Sequence, residues 1–309
     1  MARVARLHYE QGIKQKAIAE KLNLSASKVS RLLRKANETG IVRTVVQLPD
    51  GVHADIEEKI EAKYGLDEVV IADIRGTHKE VLKALSSAGA EYLKTTLNSS
   101  MVMGISAWSE TLMAVANRLA ENDGICLKDV VQLDGGAGHA DAQLRAARML
   151  DKLARVSNAK PIVLPVPGVA PTVRAYETYI HDPGVVAVSS VWNSVDVALV
   201  GIGSLSPSPV LRQSGNYASQ DVINQLISFG AVGDVCLRFF DRDGRAVETE
   251  FDSRVIGVTL NRLKKVRRRI AIAGGSEKIG AIQAALRGSI VNTIVTDLGV
   301  AESLLALRA

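Results

Sequence analysis

The sequence predicts an α/β chain in three parts: a helix-turn-helix domain over 1–50, a linker helix over 51–65, and one doubly wound, mainly parallel α/β domain over 66–309. Three observations carry that reading. All excess positive charge sits in the first fifty residues. Two short helical patterns meet there at a turn-forming asparagine. From residue 69 onward, apolar runs alternate with amphipathic stretches.

Residues 3–11 form the first helical pattern, with Val4, Leu7 and His8 on one side and Gly12 as its stop. Residues 14–22 place Ile18, Ala19 and Leu22 on one face, and Asn23 suits the left-handed turn that follows. Ser25 reads as the N-cap of a third helix, 26–38, in which Val29, Leu32, Leu33 and Ala36 make an apolar stripe. Its other face carries Ser27, Lys28, Arg31, Arg34 and Lys35. Gly40 ends it, and 41–48 reads as a wing strand. Such a second helix lies in the major groove of DNA, where Ser27, Lys28 and Arg31 would reach base edges. Lys14, Lys16, Arg34 and Lys35 would meet phosphates, and Ser25 belongs to the same surface.

The charge agrees. Residues 1–50 hold ten Lys and Arg against four acids, whereas the remaining 259 residues hold 28 against 29. A basic module on a near-neutral body is the electrostatic footprint of a nucleic-acid-binding domain. Two distant cysteines, Cys126 and Cys236, form no metal spacing and suit a reducing cytosol. The first twelve residues have no signal-peptide apolar stretch, and no window is long and apolar enough to span a bilayer, so the expected location is cytoplasmic.

Val52, Ile56, Ile60 and Tyr64 recur every fourth residue, a stripe suited to the chain's own body or to a partner subunit, where Ile60→Asp would dissociate the oligomer. Strands are expected at 69–74, 101–105, 130–134, 161–166, 197–202, 235–240, 270–274 and 290–296. Helices are expected at 79–98, 108–122, 141–156, 219–228, 276–287 and 299–307. Ligands of such sheets bind at strand carboxyl ends. The residues there are Gly104 and Ser106, then Asp134, Gly135 and Gly136, then Gly203, with Asp234 and Lys278 in two further glycine-rich segments. Glycines admit close backbone approach and helix N-termini favour anions, which points to a small polyhydroxylated or phosphorylated ligand.

Catalytic and cofactor patterns fail. Ser206 replaces the last glycine of a dinucleotide loop, with Pro207 and Pro209 behind it, and Trp108 spoils a nucleophile elbow. The five histidines match no metal spacing, and His139 reads as a surface residue. No cofactor or metal is expected. The run Arg262 to Arg269 reads as a solvated basic face.

The ordered blocks AIAEKLNLSASKVSRLLRKANETGIVR, GISAWSETL, LDGG, LVGIGSL, GAVGDVCLRFFDRDG, AGGSEKIGAIQAALRG and VNTIVTD resemble the SorC family of bacterial sugar-responsive transcription regulators over nearly the whole chain. The resemblance implies operator DNA as one partner and a sugar, polyol or sugar phosphate as effector. It also implies a homotetramer and an effector domain related to phosphosugar isomerases. Effector contacts would fall on Ser106, Asp134, Gly135, Gly136, Asp234 and Lys278. A phosphosugar isomerase-like enzyme with a basic accessory module is the alternative. Ser289 stands where the family usually has glycine, and Leu298 where it usually has an acid; both are expected near the pocket.

Overall fold

The computed structural model describes residues 1–42, 51–120, 123–206, 209–216 and 218–308. The expected wing strand lies outside the described residues beyond Val42. The chain divides into two compact units, Met1–Asp50 and Gly51–Ala309.

In the first unit, α1 (Ala2–Ala5) runs on as a π-helical turn to Glu10, followed by α2 (Gln15–Leu22) and α3 (Ala26–Glu38). Val4, Ala5, Leu7, Ile18, Ala19, Val29, Leu33 and Ala36 form its core. Asn23 adopts φ 54° and ψ 46°, the left-handed turn that lets α3 fold back across α2. The hydroxyl of Ser25 accepts from Lys28 N at 3.2 Å and caps α3.

The second unit opens with α4 (Ala54–Tyr64) and is built on a seven-stranded sheet. Its strands are β1 (Glu68–Ala72), β2 (Val102–Ile105), β3 (Asp129–Gln132), β4 (Lys160–Ile162), β5 (Val197–Val200), β9 (Arg268–Ile272) and β10 (Thr293–Asp297). They lie in the order β1-β10-β9-β5-β2-β3-β4, every pair parallel. Neighbouring strand residues alternate between two buried clusters. Ala198 and Val200 join the core beside Ile60 and Leu304, whereas Val197 and Leu199 join that of Leu85 and Leu112. Burial on both faces explains the unbroken apolar runs of the inner strands, while Lys160 and Pro161 of edge strand β4 are exposed. One face is covered by α5 (His78–Thr96), α6 (Glu110–Arg118) and α7 (Ala140–Val156); the other by α4, α9 (Pro183–Val191), α13 (Ile279–Arg287) and α14 (Leu298–Ala306).

The expected strand at 235–240 is two strands. β7 (Ala231–Val235) turns at Cys236-Leu237 into β8 (Arg238–Asp241), and β7 is the middle strand of a small antiparallel sheet, with β8 on one side and β6 (Gly203–Ser204) on the other. Cys236 and Leu237 take φ 52° and 62°, the left-handed pair a two-residue hairpin requires. Asn-Gly would have signalled that turn; two apolar residues hide it. Four helices were also hidden, α8 (Val173–Ile180), α9, α10 (Pro209–Gln213) and α12 (Leu260–Leu263), whereas the helix expected at 219–228 is α11 (Gln220–Ser228). The Asp182-Pro183-Gly184 start of α9 reads as a turn, yet Asp182 Oδ1 caps it through Gly184 N at 2.8 Å, with Pro183 in the first helical turn.

The stripe on α4 packs on its own body. Ile60 is fully buried, with Ile56 and Tyr64 packed around it, so Ile60→Asp would strike this core rather than a subunit contact. The basic run is not a solvated face either. Arg262 reaches Ser189 O at 2.7 Å and lies over the Trp192 ring, Arg268 reaches Thr96 O and Tyr92 Oη, and Arg269 reaches Val266 O. Only Lys265 and Arg267 of its cations are exposed.

Candidate functional site

The sheet order reverses beside β2, whose neighbours are β3 on one side and β5 on the other. A parallel sheet opens a crevice at such a switch point, outside the strand carboxyl ends. A cavity of about 220 Å³ lies there. That is below the size of a drug-binding pocket and matches a monosaccharide-sized guest. Its wall includes Ser106 after β2, Asp134 after β3, Gly203 after β5, Asp234 on β7 and Lys278 ahead of α13.

Two carboxyl groups dominate the wall. Asp134 is 1% exposed, and its Oδ1 accepts from Ala107 N at 2.6 Å. Burial and the nearby Asp234 carboxylate push its pKa up to about 7, against the pull of that backbone bond. Asp234 accepts from Leu237 N at 3.2 Å, so the strained hairpin turn aims its carboxyl group. Burial pushes its pKa up to about 6, while Lys278 draws it down. Lys278 is itself lowered by burial, with Glu277, Asp234 and Glu110 opposing. The Cys236 thiol is raised by burial and by both aspartates, so it stands as a neutral wall group. Two carboxyls with raised pKa values and an ammonium in one small cavity make an array that accepts from and donates to hydroxyls.

Ser106 is buried, and its Oγ accepts from Gly201 N at 3.3 Å, joining the ends of β2 and β5. Gly203 is required by Asp234: a Cβ there would stand 2.0 Å from Asp234 Oδ1. Gly203→Ala is therefore expected to displace that carboxyl group, and to remove the thermal-shift response to any compound that stabilises the parent protein.

Gly104, Gly135 and Gly136 do not line the cavity. They are packing glycines, where a Cβ would meet Leu133 Cδ2 at 2.5 Å, Pro167 O at 2.3 Å and Gln132 Nε2 at 2.5 Å respectively. Ser289 and Leu298 are also absent from the wall; Ser289 instead holds φ 50°, the conformation for which glycine is suited. His139 lies in a separate surface hollow with Arg145 and Gln213. Sequence reasoning missed His78, Glu110 and Thr111, which enter the wall from the N-terminal turns of α5 and α6. It also missed Trp108, whose Nε1 donates to Gly135 O at 2.9 Å.

In the first unit, Lys14, Lys16, Ser27, Lys28, Arg31, Arg34 and Lys35 are all exposed, and those on α3 lie opposite Val29, Leu33 and Ala36. Ser25 is exposed too, but its hydroxyl is engaged as the helix cap and with Ser27.

Comparison with known proteins accords with this division. Residues 51–306 match the family described as "Putative sugar-binding domain", and residues 5–43 match a winged helix-turn-helix DNA-binding family. The chain is 31% identical to the deoxyribonucleoside regulator of Bacillus subtilis over 97% of its length and 95% of the relative's. It is 29% identical to the sorbitol operon regulator of Klebsiella pneumoniae, covering 99% and 97%. The crystal structure of full-length SorC from Klebsiella pneumoniae superposes with a TM-score of 0.75 at 28% identity, covering 98% of this chain and 97% of that one. These relatives are transcriptional regulators, which leaves the isomerase-like enzyme alternative without support. The chain belongs to the SorC family of transcriptional regulators, with a winged helix-turn-helix ahead of a sugar-binding domain.

Proposed function

We propose that this regulator binds operator DNA through Lys14, Lys16, Ser27, Lys28, Arg31 and Arg34, and that a small sugar, polyol or sugar phosphate held at the switch-point cavity sets its affinity. Ser106, Asp134, Asp234 and Lys278 are the effector contacts, with Gly203 making room for Asp234. Ser25 serves the same surface by capping α3. The protein acts in the cytoplasm as a homotetramer. That assembly would let one regulator hold several half-sites, as symmetric DNA-binding oligomers do.

The observation that carries this reading is the pair of buried carboxyl groups beside Lys278 in one cavity at the strand carboxyl ends. Hydroxyl donors satisfy the carboxyls, and a phosphate or hydroxyl acceptor satisfies the ammonium. The relatives named for sorbitol and deoxyribonucleoside control support an effector of that chemistry.

A thermal-shift panel of free polyols and sugars against their phosphorylated forms, repeated on Lys278→Ala, tests it. A ligand at 100 times its Kd stabilises by about 2.7 kcal/mol. A shift given by phosphorylated compounds alone, and lost in Lys278→Ala, assigns Lys278 to an anion. A shift given by free polyols assigns it to hydroxyls. A panel with no shift at all removes the cavity from the effector reading.

A further inference from the structure

We propose that α14 is the strut joining the effector cavity to α4, the helix through which the chain enters the second unit, and that Asp297 and Lys63 are the positioning residues at its two ends. This rests on the function proposed above, in which cavity occupancy changes DNA affinity.

At one end, Asp297 closes β10 and divides its carboxylate. Oδ1 accepts from Val300 N at 3.0 Å and caps α14; Oδ2 accepts from Gly275 N at 2.8 Å. Gly275 opens the loop that brings Lys278 to the cavity wall. It sits at φ 98°, and a Cβ on the preceding Gly274 would lie 2.3 Å from Asp297 Oδ2. The loop is thus seated on this carboxylate without slack, and the group that orients the Lys278 segment is the same group that starts α14.

At the other end, the last carbonyls of α14 converge on one ammonium. Lys63 Nζ donates to Leu304 O and Leu305 O, each at 2.9 Å, and also to Leu307 O; Tyr64 Oη donates to Leu304 O at 2.9 Å. A cation capping a helix C-terminus satisfies otherwise orphaned carbonyls and complements the helix dipole. Between the two junctions α14 is nine residues long, about 13 Å at 1.5 Å per residue, with Val300, Ala301 and Leu304 buried.

The helix it reaches is seated just as tightly. Glu57 accepts from Ile71 N and Glu61 from Val69 N, both at 2.9 Å. Four helical residues advance about 6 Å and two strand residues about 6.6 Å, so carboxylates four apart match the outward amides of edge strand β1. His53 Nε2 meets Asp73 Oδ1 at 2.8 Å at the start of α4. Closely packed elements held this way change position by exchanging one set of bonds for another rather than by gradual bending. A ligand that moves the Lys278 loop loads Asp297 first, then α14, then the Lys63 junction.

The test uses the full chain, a fluorescein-labelled duplex enriched by the parent protein from a random-sequence pool, and the panel compound that gives the largest thermal shift. In the parent, that compound is expected to change the duplex Kd by about tenfold or more. In Lys63→Met, duplex Kd without compound and compound Kd without duplex stay within about threefold of the parent, while the compound-induced change falls below about twofold. Lys63→Arg, which keeps a charged donor, restores it. A Lys63→Met protein that retains the parent's compound-induced change overturns the strut. Should that variant prove too unstable, Asp297→Asn decides: Oδ1 still caps α14, but Nδ2 cannot accept from Gly275. Retained coupling in it at saturating compound overturns the proposal, and lost coupling supports it. A parent whose duplex affinity ignores every compound overturns the functional reading itself, and the strut with it.

Discussion

Replacing Asp134 with Asn is expected to stabilise the ligand-free protein at pH 8 and to weaken its binding of effector. Asp134 and Asp234 have pKa values of about 7 and about 6 against an ordinary 3.8, in each case chiefly through burial. Between about pH 4 and pH 7 the folded chain therefore holds more protons at these groups than the unfolded chain. Stability falls as pH rises through that window, and the full cost is present above it. For Asp134, a rise from 3.8 to about 7 corresponds to roughly 4 kcal/mol at pH 8. Asparagine keeps the shape and can still accept from Ala107 N, but it carries no charge to bury. The gain should be small at pH 4.5 and reach a few kcal/mol at pH 8, measured by denaturant unfolding at both. A variant less stable than the parent at pH 8 would refute the account. The same change removes an acceptor for ligand hydroxyls and presents an amide donor instead, a mismatch worth about 1.5–3 kcal/mol, or roughly tenfold to a hundredfold in Kd. A group that weakens the empty protein and is needed by the ligand is the mark of a binding site.

The parallel core was readable because its physics is local. A strand buried on both faces, as β2 and β5 are, has to be apolar throughout, so such runs announced themselves in the sequence, while the order of the strands stayed hidden. The hairpin at Cys236-Leu237 was missed because its turn is steadied by the Asp234 carboxyl group, which accepts from Leu237 N, and carries no turn-forming residue at its two central positions. The basic run from Arg262 misled because guanidinium groups over Trp192 and Tyr92, bonded to backbone carbonyls, have the same composition as a solvated face.

At the site, Ser106, Asp134 and Gly203 were readable from one rule, that ligands gather at strand carboxyl ends, and Asp234 and Lys278 from the glycine-rich segments that carry them. The glycines were only half readable. Gly203 faces a carboxyl group of the cavity, but Gly104, Gly135 and Gly136 make room for Leu133, Pro167 and Gln132. A sequence does not say which neighbour a missing Cβ accommodates. His78 and Glu110 were out of reach because they start different helices, and only the strand order brings those helices to one cavity mouth.

The other large effect is expected in the first unit, from Arg31→Ala with Arg34→Ala. Both side chains are exposed on the outer face of α3, away from Val29, Leu33 and Ala36, so folding stability should change by less than about 0.5 kcal/mol. DNA binding should change greatly. A protein neutralising roughly six to ten phosphates loses about 10³- to 10⁵-fold in affinity between 50 and 200 mM salt, and each lost phosphate contact lowers the log–log slope by about 0.9. Titrating the labelled duplex against each single variant at several salt concentrations separates the roles of the two residues. If Arg34 meets phosphate, its loss weakens all duplexes alike and flattens the slope by about one. If Arg31 reads a base edge, its loss costs about 1–3 kcal/mol on the selected duplex and little on a scrambled one. Unchanged affinity and slope in the double variant would remove α3 from the interface. Ser25→Ala would not serve as this test. Its hydroxyl holds Lys28 N, so losing the cap costs about 1 kcal/mol of helix stability and would imitate a lost DNA contact.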